Sequence, residues 1–253
     1  MMDFKIVIPA RYASTRLPGK PLLDIGGKSM IQRVYENACE AKASSVVIAT
    51  DDKRIQEAAE AFGAEVCMTA DNHRSGTDRI AEVVRTMGWS EDSIVVNIQG
   101  DEPSMPPSLA NQVAQDMQQH QRADMTTLST LISQQEQLFD PNVVKVVTDE
   151  EGYALYFSRA PIPWHRDEFA SGEPALPQGT NYYRHIGLYA YRAGYLEKYV
   201  NLAPSLLEQA ESLEQLRILS HGGCIHVSEA EQEPGHGIDT AEDLERVRKL
   251  YER

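Results

Sequence analysis

Phe4-Lys5-Ile6-Val7-Ile8-Pro9-Ala10 runs directly into Arg11-Tyr12-Ala13-Ser14-Thr15-Arg16-Leu17-Pro18-Gly19-Lys20. Apart from Lys5, the opening run is apolar and rich in β-branched residues, the composition of a strand covered on both faces in a parallel sheet. The segment after it places Arg11, Arg16 and Lys20 among the small residues Ser14, Thr15 and Gly19. Loops at the carboxyl ends of parallel strands are where open α/β sheets bind ligands, and converging cations with free N–H groups suit a polyphosphate. The alternative is a solvated loop with scattered cations. Its position, and its positive charge in a chain of formal net charge −14, favour an anion site. It is not a P-loop: Gly27-Lys28-Ser29 ends like one, but Leu22 stands where the upstream glycine is required. No G-x-G-x-x-G follows the strand, and Gly235-His236-Gly237 lies in the wrong context, which disfavours a nicotinamide dehydrogenase.

Working outward, Val46–Ala49 and Ile94–Ile98 are further buried-strand runs. Between them, Met30, Ile31, Val34, Tyr35 and Ala38, and then Ile80, Val83, Val84 and Met87, follow the helical period. Strand–helix alternation of this kind predicts a doubly wound α/β sheet. The second half differs. Val143–Val147 and Tyr153–Phe157 read as strands joined by the turn Asp149-Glu150-Glu151-Gly152, residues 161–180 as an excursion loop, and Ile186–Tyr191 as another strand. Leu206–Ser220 reads as one amphipathic helix with Leu206, Leu207, Ala210, Leu213, Leu216 and Leu219 on its apolar face. The last twelve residues read as a charged helix with Glu242/Arg246 and Glu245/Lys249 pairs.

Composition removes several function classes. The 253 residues are 42% hydrophobic and 25% charged, as in an ordinary globular protein. With 24 Lys and Arg against 38 Asp and Glu, the chain lacks a nucleic-acid footprint and is repelled by anionic lipid. No apolar run approaches the roughly 20 residues that span a bilayer, and Ile6–Ala10 is too short for a leader. Cys39, Cys67 and Cys224 are scattered and odd in number, which argues against a disulfide framework or thiolate zinc site and points to a reducing cytoplasm.

The candidate metal ligands are carboxylates. Asp101, in Gln99-Gly100-Asp101-Glu102-Pro103 just beyond the Ile94–Ile98 strand, lies on the same sheet edge as the cationic loop; an ordinary turn is the competing reading. Asp239, in Gly237-Ile238-Asp239-Thr240, is either a second ligand or a cap, since Asp239 or Thr240 can begin the last helix with Glu242 or Asp243 closing a capping box. His73–Arg79 opens a helix near Thr77 and either offers N–H groups to a base or phosphate or is simply capped by Ser75 or Thr77. Arg159 and the Arg184-His185 pair flank strands, with Tyr189 on the face of His185, a candidate carboxylate and hydroxyl pocket. Glu214 and Gln215 read by default as a solvated helix face.

Taken together, Ile8–Leu22, His73–Arg79, Asn97–Pro103, Tyr153–Ala160, Arg184–Tyr189, Leu213–Arg217 and Gly237–Thr240 resemble, in order, the motifs of the 3-deoxy-manno-octulosonate cytidylyltransferases. The resemblance implies a Mg²⁺-dependent homodimer in the cytoplasm that converts CTP and an eight-carbon acid sugar to the CMP-sugar and pyrophosphate for lipopolysaccharide. It implies one Rossmann-like nucleotidyltransferase domain over residues 1–253: a mostly parallel central sheet flanked by helices, with a smaller mixed β region near 150–190 serving the sugar site and dimer interface. It further implies that Arg11, Ser14, Arg16 and Lys20 grip the triphosphate, that Ala10, Ser75, Arg79 and Gln99 help hold the nucleotide, and that Asp101 and Asp239 bind Mg²⁺. Arg11, Lys20, Asp101 and Asp239 then carry catalysis, while Gln99, Arg159, His185, Tyr189, Glu214 and Gln215 line the sugar pocket. Pro161, Phe169–Asn181 and His236 depart from the pattern, so an amino-modified octulosonate or sialic acid stays open as substrate. A non-catalytic nucleotide-binding regulator is the reading from a different class.

Overall fold

The computed structural model describes residues 3–13, 17–171, 176–177, 179–235 and 237–251. Ser14, Thr15, Arg16 and His236, and part of the 161–180 excursion, lie outside the described residues.

The first half builds β1 (Phe4–Ala10), the short β2 (Asp24–Ile25) and β3 (Lys28–Ser29), α1 (Met30–Cys39), β4 (Ser45–Thr50), α2 (Lys53–Ala61), β5 (Glu65–Met68), α3 (Gly76–Met87) and β6 (Ile94–Asn97). There follow α4 (Pro107–Gln119), β7 (Met125–Leu131), α5 (Gln135–Phe139), β8 (Lys145–Thr148), β9 (Ala154–Ser158), β10 (Tyr183–Arg192), α6 (Ala193–Val200), α7 (Leu206–Glu211), α8 (Gln215–Ser220), β11 (Ile225–Glu229) and α9 (Ala241–Tyr251). The sheet order is β11-β7-β10-β6-β1-β4-β5. β1 pairs in parallel with β4 and β6, and β4 with β5. The apolar runs read as buried strands are these elements, because helices cover both faces: Ile31, Val34, Leu109 and Val113 pack one side, Ile80, Val83, Leu196 and Tyr199 the other. Each large apolar side chain so buried contributes roughly 1.5–3 kcal/mol.

The parallel pattern is interrupted in mid-sheet. β10 runs antiparallel between β6 and β7. Only Tyr189–Arg192 pair with β6, the last partner being Asn97; Tyr183–Ile186 pair with β7 instead, and Tyr183 and Arg184 also with β8. The first part of this ten-residue strand therefore overhangs the carboxyl end of β6. Between Ile186 and Tyr189 the register shifts, leaving Gly187 and Leu188 without β7 partners. The mixed β region is thus continuous with the main sheet rather than a separate small sheet: the β8–β9 hairpin hangs from β10.

Two local expectations are corrected. Leu206–Ser220 is not one helix but α7 and α8, separated where Ser212 takes φ 52. A residue in the left-handed region ends the i→i−4 ladder, so the helical stripe does not continue, and Leu206 and Leu207 are 84% and 45% exposed. In α9 the ion pairs observed are at i,i+3, Arg246–Asp243 at 3.6 Å and Arg248–Glu245 at 2.6 Å, because Asp243 and Glu245 meet the arginines first.

Candidate active site

The carboxyl ends of β1 and β6 open into a cleft of about 430 Å³ lined by Ala10, Arg11, Lys20, Arg74, Ser75, Gln99, Asp101 and Asp239, among others. Arg11, Ala13 and Lys20 bring the segment after β1 to its wall. Gly19, at φ 67, donates its N–H to the Tyr12 carbonyl at 3.2 Å, which closes the loop and swings Lys20 inward. Arg11 lies across the start of α3, its Nη2 donating to the carbonyls of His73 (2.6 Å) and Ser75 (3.2 Å). Ser75 and Asp78 form a reciprocal capping box, so the Ser75 side chain is spent on α3 while its backbone faces the cleft.

The central feature is a cation shared by two acids from distant loops. Lys20 Nζ stands 2.7 Å from Asp101 Oδ2 and 3.3 Å from Asp239 Oδ1. The Asp239 segment is brought there by backbone: the Ile238 N–H donates to the Asp101 carbonyl at 2.9 Å. Gly235 lets it come this close, since a Cβ there would lie 2.4 Å from Ser104. Thr240 and Asp243 exchange the capping bonds of α9, Thr240 N to Asp243 Oδ2 at 3.0 Å and Asp243 N to Thr240 Oγ1 at 3.1 Å. The question the sequence leaves open is thereby answered by division of labour: Thr240 caps, and Asp239 turns to Lys20. Beside them Glu102 is pushed up to about 8 by burial and by the adjacent Asp101 carboxylate. Carboxylate oxygens of Asp101 and Asp239 meet at this edge, and oxygen donors of this kind fit a hard divalent cation such as Mg²⁺.

A second group lies under the overhang of β10. His185 and Tyr189 are neighbours with ring centroids 5.5 Å apart, and His185 Nε2 meets the Thr127 hydroxyl at 3.0 Å. Burial drives the His185 imidazole down to about 3 and the Tyr189 phenol well above its ordinary value, so both are neutral. Glu214, at the start of α8, accepts from the Thr77 hydroxyl at 3.1 Å, and burial raises its carboxyl while also raising Tyr189. Gln215 is 3% exposed, with its Nε2 lacking a hydrogen-bond partner among the described residues. Glu214 and Gln215 are therefore not a solvated helix face.

Two sequence candidates lie elsewhere. Arg79 is wholly buried beneath the cleft, on the inner face of α3, where its guanidinium meets the Thr69 hydroxyl and Asp51. Arg159 is turned to backbone: Nε donates to the Glu211 carbonyl at 2.6 Å and Nη1 to the Pro141 carbonyl at 2.9 Å, so the guanidinium is committed to the α7 junction. The sequence marks Thr77 only as a cap candidate, whereas its hydroxyl donates to Glu214, and it leaves Asn97 and Glu102 unmarked as site residues. Asn97 is 1% exposed and neither its amide nitrogen nor its oxygen has a partner among the described residues. The available signal was an amide inside the otherwise apolar Ile94–Ile98 run.

Comparison with known proteins shows the family. The family model described as cytidylyltransferase matches residues 5–231. A curated relative from Vibrio vulnificus (strain YJ016), named 3-deoxy-manno-octulosonate cytidylyltransferase, is 58% identical over 98% of both chains. One of the same name from Pasteurella multocida (strain Pm70) is 54% identical over 100% of both. A solved structure of CMP:2-keto-3-deoxy-manno-octonic acid synthetase complexed with CTP superposes with a TM-score of 0.88 at 44% identity, covering 99% of this chain and 98% of that one. A cytidylyltransferase from Leptospira borgpetersenii shares the fold, with a TM-score of 0.60 at 17% identity over 98% of this chain and 85% of its own.

Proposed function

The chain belongs to the cytidylyltransferase family, and from that premise we propose that it transfers CMP from CTP to 3-deoxy-D-manno-octulosonate, releasing pyrophosphate and supplying an activated sugar for lipopolysaccharide. The observation that carries the reading is the convergence of Lys20 with Asp101 and Asp239 at the mouth of the cleft. A regulator that only holds a nucleotide has no need of two carboxylates at the phosphate end.

In this mechanism the anomeric hydroxyl of the acid sugar attacks the α-phosphorus of CTP and pyrophosphate departs. The cleft orients the nucleotide: Arg11, anchored on the start of α3, and Lys20, anchored between the acids, face the charge that develops on the leaving group. Asp101 and Asp239 would hold Mg²⁺, which would supply charge neutralisation at the phosphates and lower the pKa of the attacking hydroxyl. The neutral groups under the β10 overhang, His185, Tyr189 and Gln215, with Gln99 between the two regions, offer hydrogen bonds to sugar hydroxyls. Burial makes each such bond selective, because an unmatched polar group there is costly.

We further propose a homodimer. What supports it is the apolar surface along β8 and β9, where Val147, Leu155, Tyr156, Ile162 and Pro163 line one depression and Leu155 is 63% exposed. Cytoplasmic location is supported by three free cysteines and by the absence, among the described residues, of any helix long and apolar enough to cross a membrane.

The deciding experiment mixes enzyme, CTP, Mg²⁺ and the octulosonate and follows pyrophosphate. Release is expected only when both substrates are present, with UTP a poor substitute. Pyrophosphate formed without the sugar, or faster turnover with sialic acid, would overturn the assignment.

A further inference from the structure

Away from the cleft, the carboxyl end of α4 packs on β11, the outermost strand of the main sheet path beyond β7. Three residues there bring metal-ligating atoms within 4.8 Å of one another: Asp116 in the last turn of α4, His120 just past its end, and His226 on β11. None of them lines the catalytic cleft. We propose that Asp116, His120 and His226 form a binding site for a first-row transition-metal ion such as Zn²⁺, separate from the acidic pair at the cleft.

The geometry is unusual for a hydrogen-bonded cluster. Both imidazoles direct Nδ1 at the same carboxylate, His120 at Asp116 Oδ1 (2.9 Å) and His226 at Asp116 Oδ2 (2.8 Å). Their rings lie face to face, with centroids 3.5 Å apart and planes 14° from parallel. Two imidazoles and a carboxylate are the donors that borderline divalent metals select, whereas Mg²⁺ and Ca²⁺ take oxygen. A sphere with metal–nitrogen distances of about 2.0–2.1 Å holds neighbouring ligand atoms roughly 3.0–3.4 Å apart. The two Nδ1–carboxylate distances, 2.8 and 2.9 Å, are already close to that spacing, and all three ligand atoms lie within 4.8 Å of one another.

The surroundings hold the ligands in place. Asp116 and His226 are each 6% exposed, whereas His120 is half-buried and gives the ion a path from solvent. Gly152, at φ 84, lies so close to His226 Nε2 that a Cβ would stand 2.8 Å from it, and its carbonyl accepts from the Val227 N–H at 2.9 Å, so the β8–β9 turn is moulded on the imidazole. Tyr153 stands edge-on to His226, at 5.2 Å between centroids, and to His120, at 6.3 Å. The nearby Arg122 guanidinium is engaged by the Tyr153 ring, 3.9 Å from its centroid, and by Glu151 at 3.2 Å. A bound ion would cross-link α4, β11 and this turn, and would be read out as added stability.

The test uses tag-free full-length chain stripped of metal, titrated calorimetrically with Zn²⁺ while excess Mg²⁺ occupies the acidic pair. One ion per chain is expected, with a raised unfolding temperature, and Co²⁺ in its place should give the visible absorption of a nitrogen- and oxygen-ligated site. His120→Gln, at the half-buried ligand, should weaken Zn²⁺ binding roughly a hundredfold while leaving cytidylyl transfer unchanged. His226→Gln should do the same to binding, and circular dichroism reports whether that variant folds. Zn²⁺ bound equally well by His120→Gln and the unaltered chain, or no Co²⁺ band from the unaltered chain, would overturn the proposal.

Discussion

Asp101 and Lys20 meet on a partly solvated edge, where their 2.7 Å ion pair contributes at most about 1 kcal/mol to stability. Their importance lies in what they present to phosphate. Asp101→Asn keeps the shape and removes the charge. Turnover is expected to fall by roughly 10²- to 10³-fold or more, while the unfolding midpoint moves by less than about 4 °C. Near-normal pyrophosphate release from that variant would take Asp101 out of the mechanism. His185 makes a different prediction, through linkage. Its folded pKa of about 3 lies below the ordinary value of 6.5, so as pH falls from about 6.5 the unfolded chain takes up a proton that the folded chain refuses. Stability is therefore lost on acidification across that window. His185→Gln, which can still bond Thr127, should lose less stability between pH 7.5 and pH 5 than the unaltered chain, measured by urea midpoints. Equal losses would mean that the imidazole titrates normally in the fold.

At the scale of elements, the break between α7 and α8 decides which acids reach β9 and the start of α3. Glu211, ending α7, accepts from the Ser158 hydroxyl at 2.6 Å and the Arg159 N–H at 2.9 Å, while Glu214, just past the break, reaches Thr77. A continuous helix would not serve both. The cost is Ser212 at φ 52, an exposed residue with a Cβ in the left-handed region. Ser212→Gly is expected to stabilise the protein by about 0.5–1 kcal/mol, seen as a higher urea midpoint. A lower midpoint would mean that Ser212 makes a compensating contact. The overhang of β10 is the other decisive element. Because only Tyr189–Arg192 pair with β6, His185 is carried past the end of the strand that delivers Gln99 and Asp101. The Gly187–Leu188 bulge is stitched by the Thr127 hydroxyl, which lies within hydrogen-bonding reach of the carbonyls of Ile186 (3.0 Å) and Leu188 (2.8 Å).

For the whole molecule, the nine-stranded sheet leaves its β8–β9 extension with apolar residues facing outward. The proposed dimer would bury them. Leu155→Lys should convert a dimer to a monomer by light scattering at micromolar concentration while CTP binding persists, since Leu155 does not line the nucleotide cleft. A variant that stays dimeric would move the interface elsewhere.

How much of this was legible beforehand follows the range of the interactions. The strand Phe4–Ala10, the cationic character of the segment after it, and the turn at Gly152 are set by side chains within a few positions, so composition and spacing reveal them. Lys20 and the two acids could be named in advance because motif resemblance marks them one by one. Only the tertiary structure decided that β10 enters the sheet antiparallel and overhangs β6, that Arg79 is buried beneath the cleft, that Arg159 is committed to backbone carbonyls, and that Thr240 rather than Asp239 caps α9. Each of these turns on which of several possible partners completes a hydrogen bond or fills a gap once the chain is folded, and chain-local pattern carries no record of that choice.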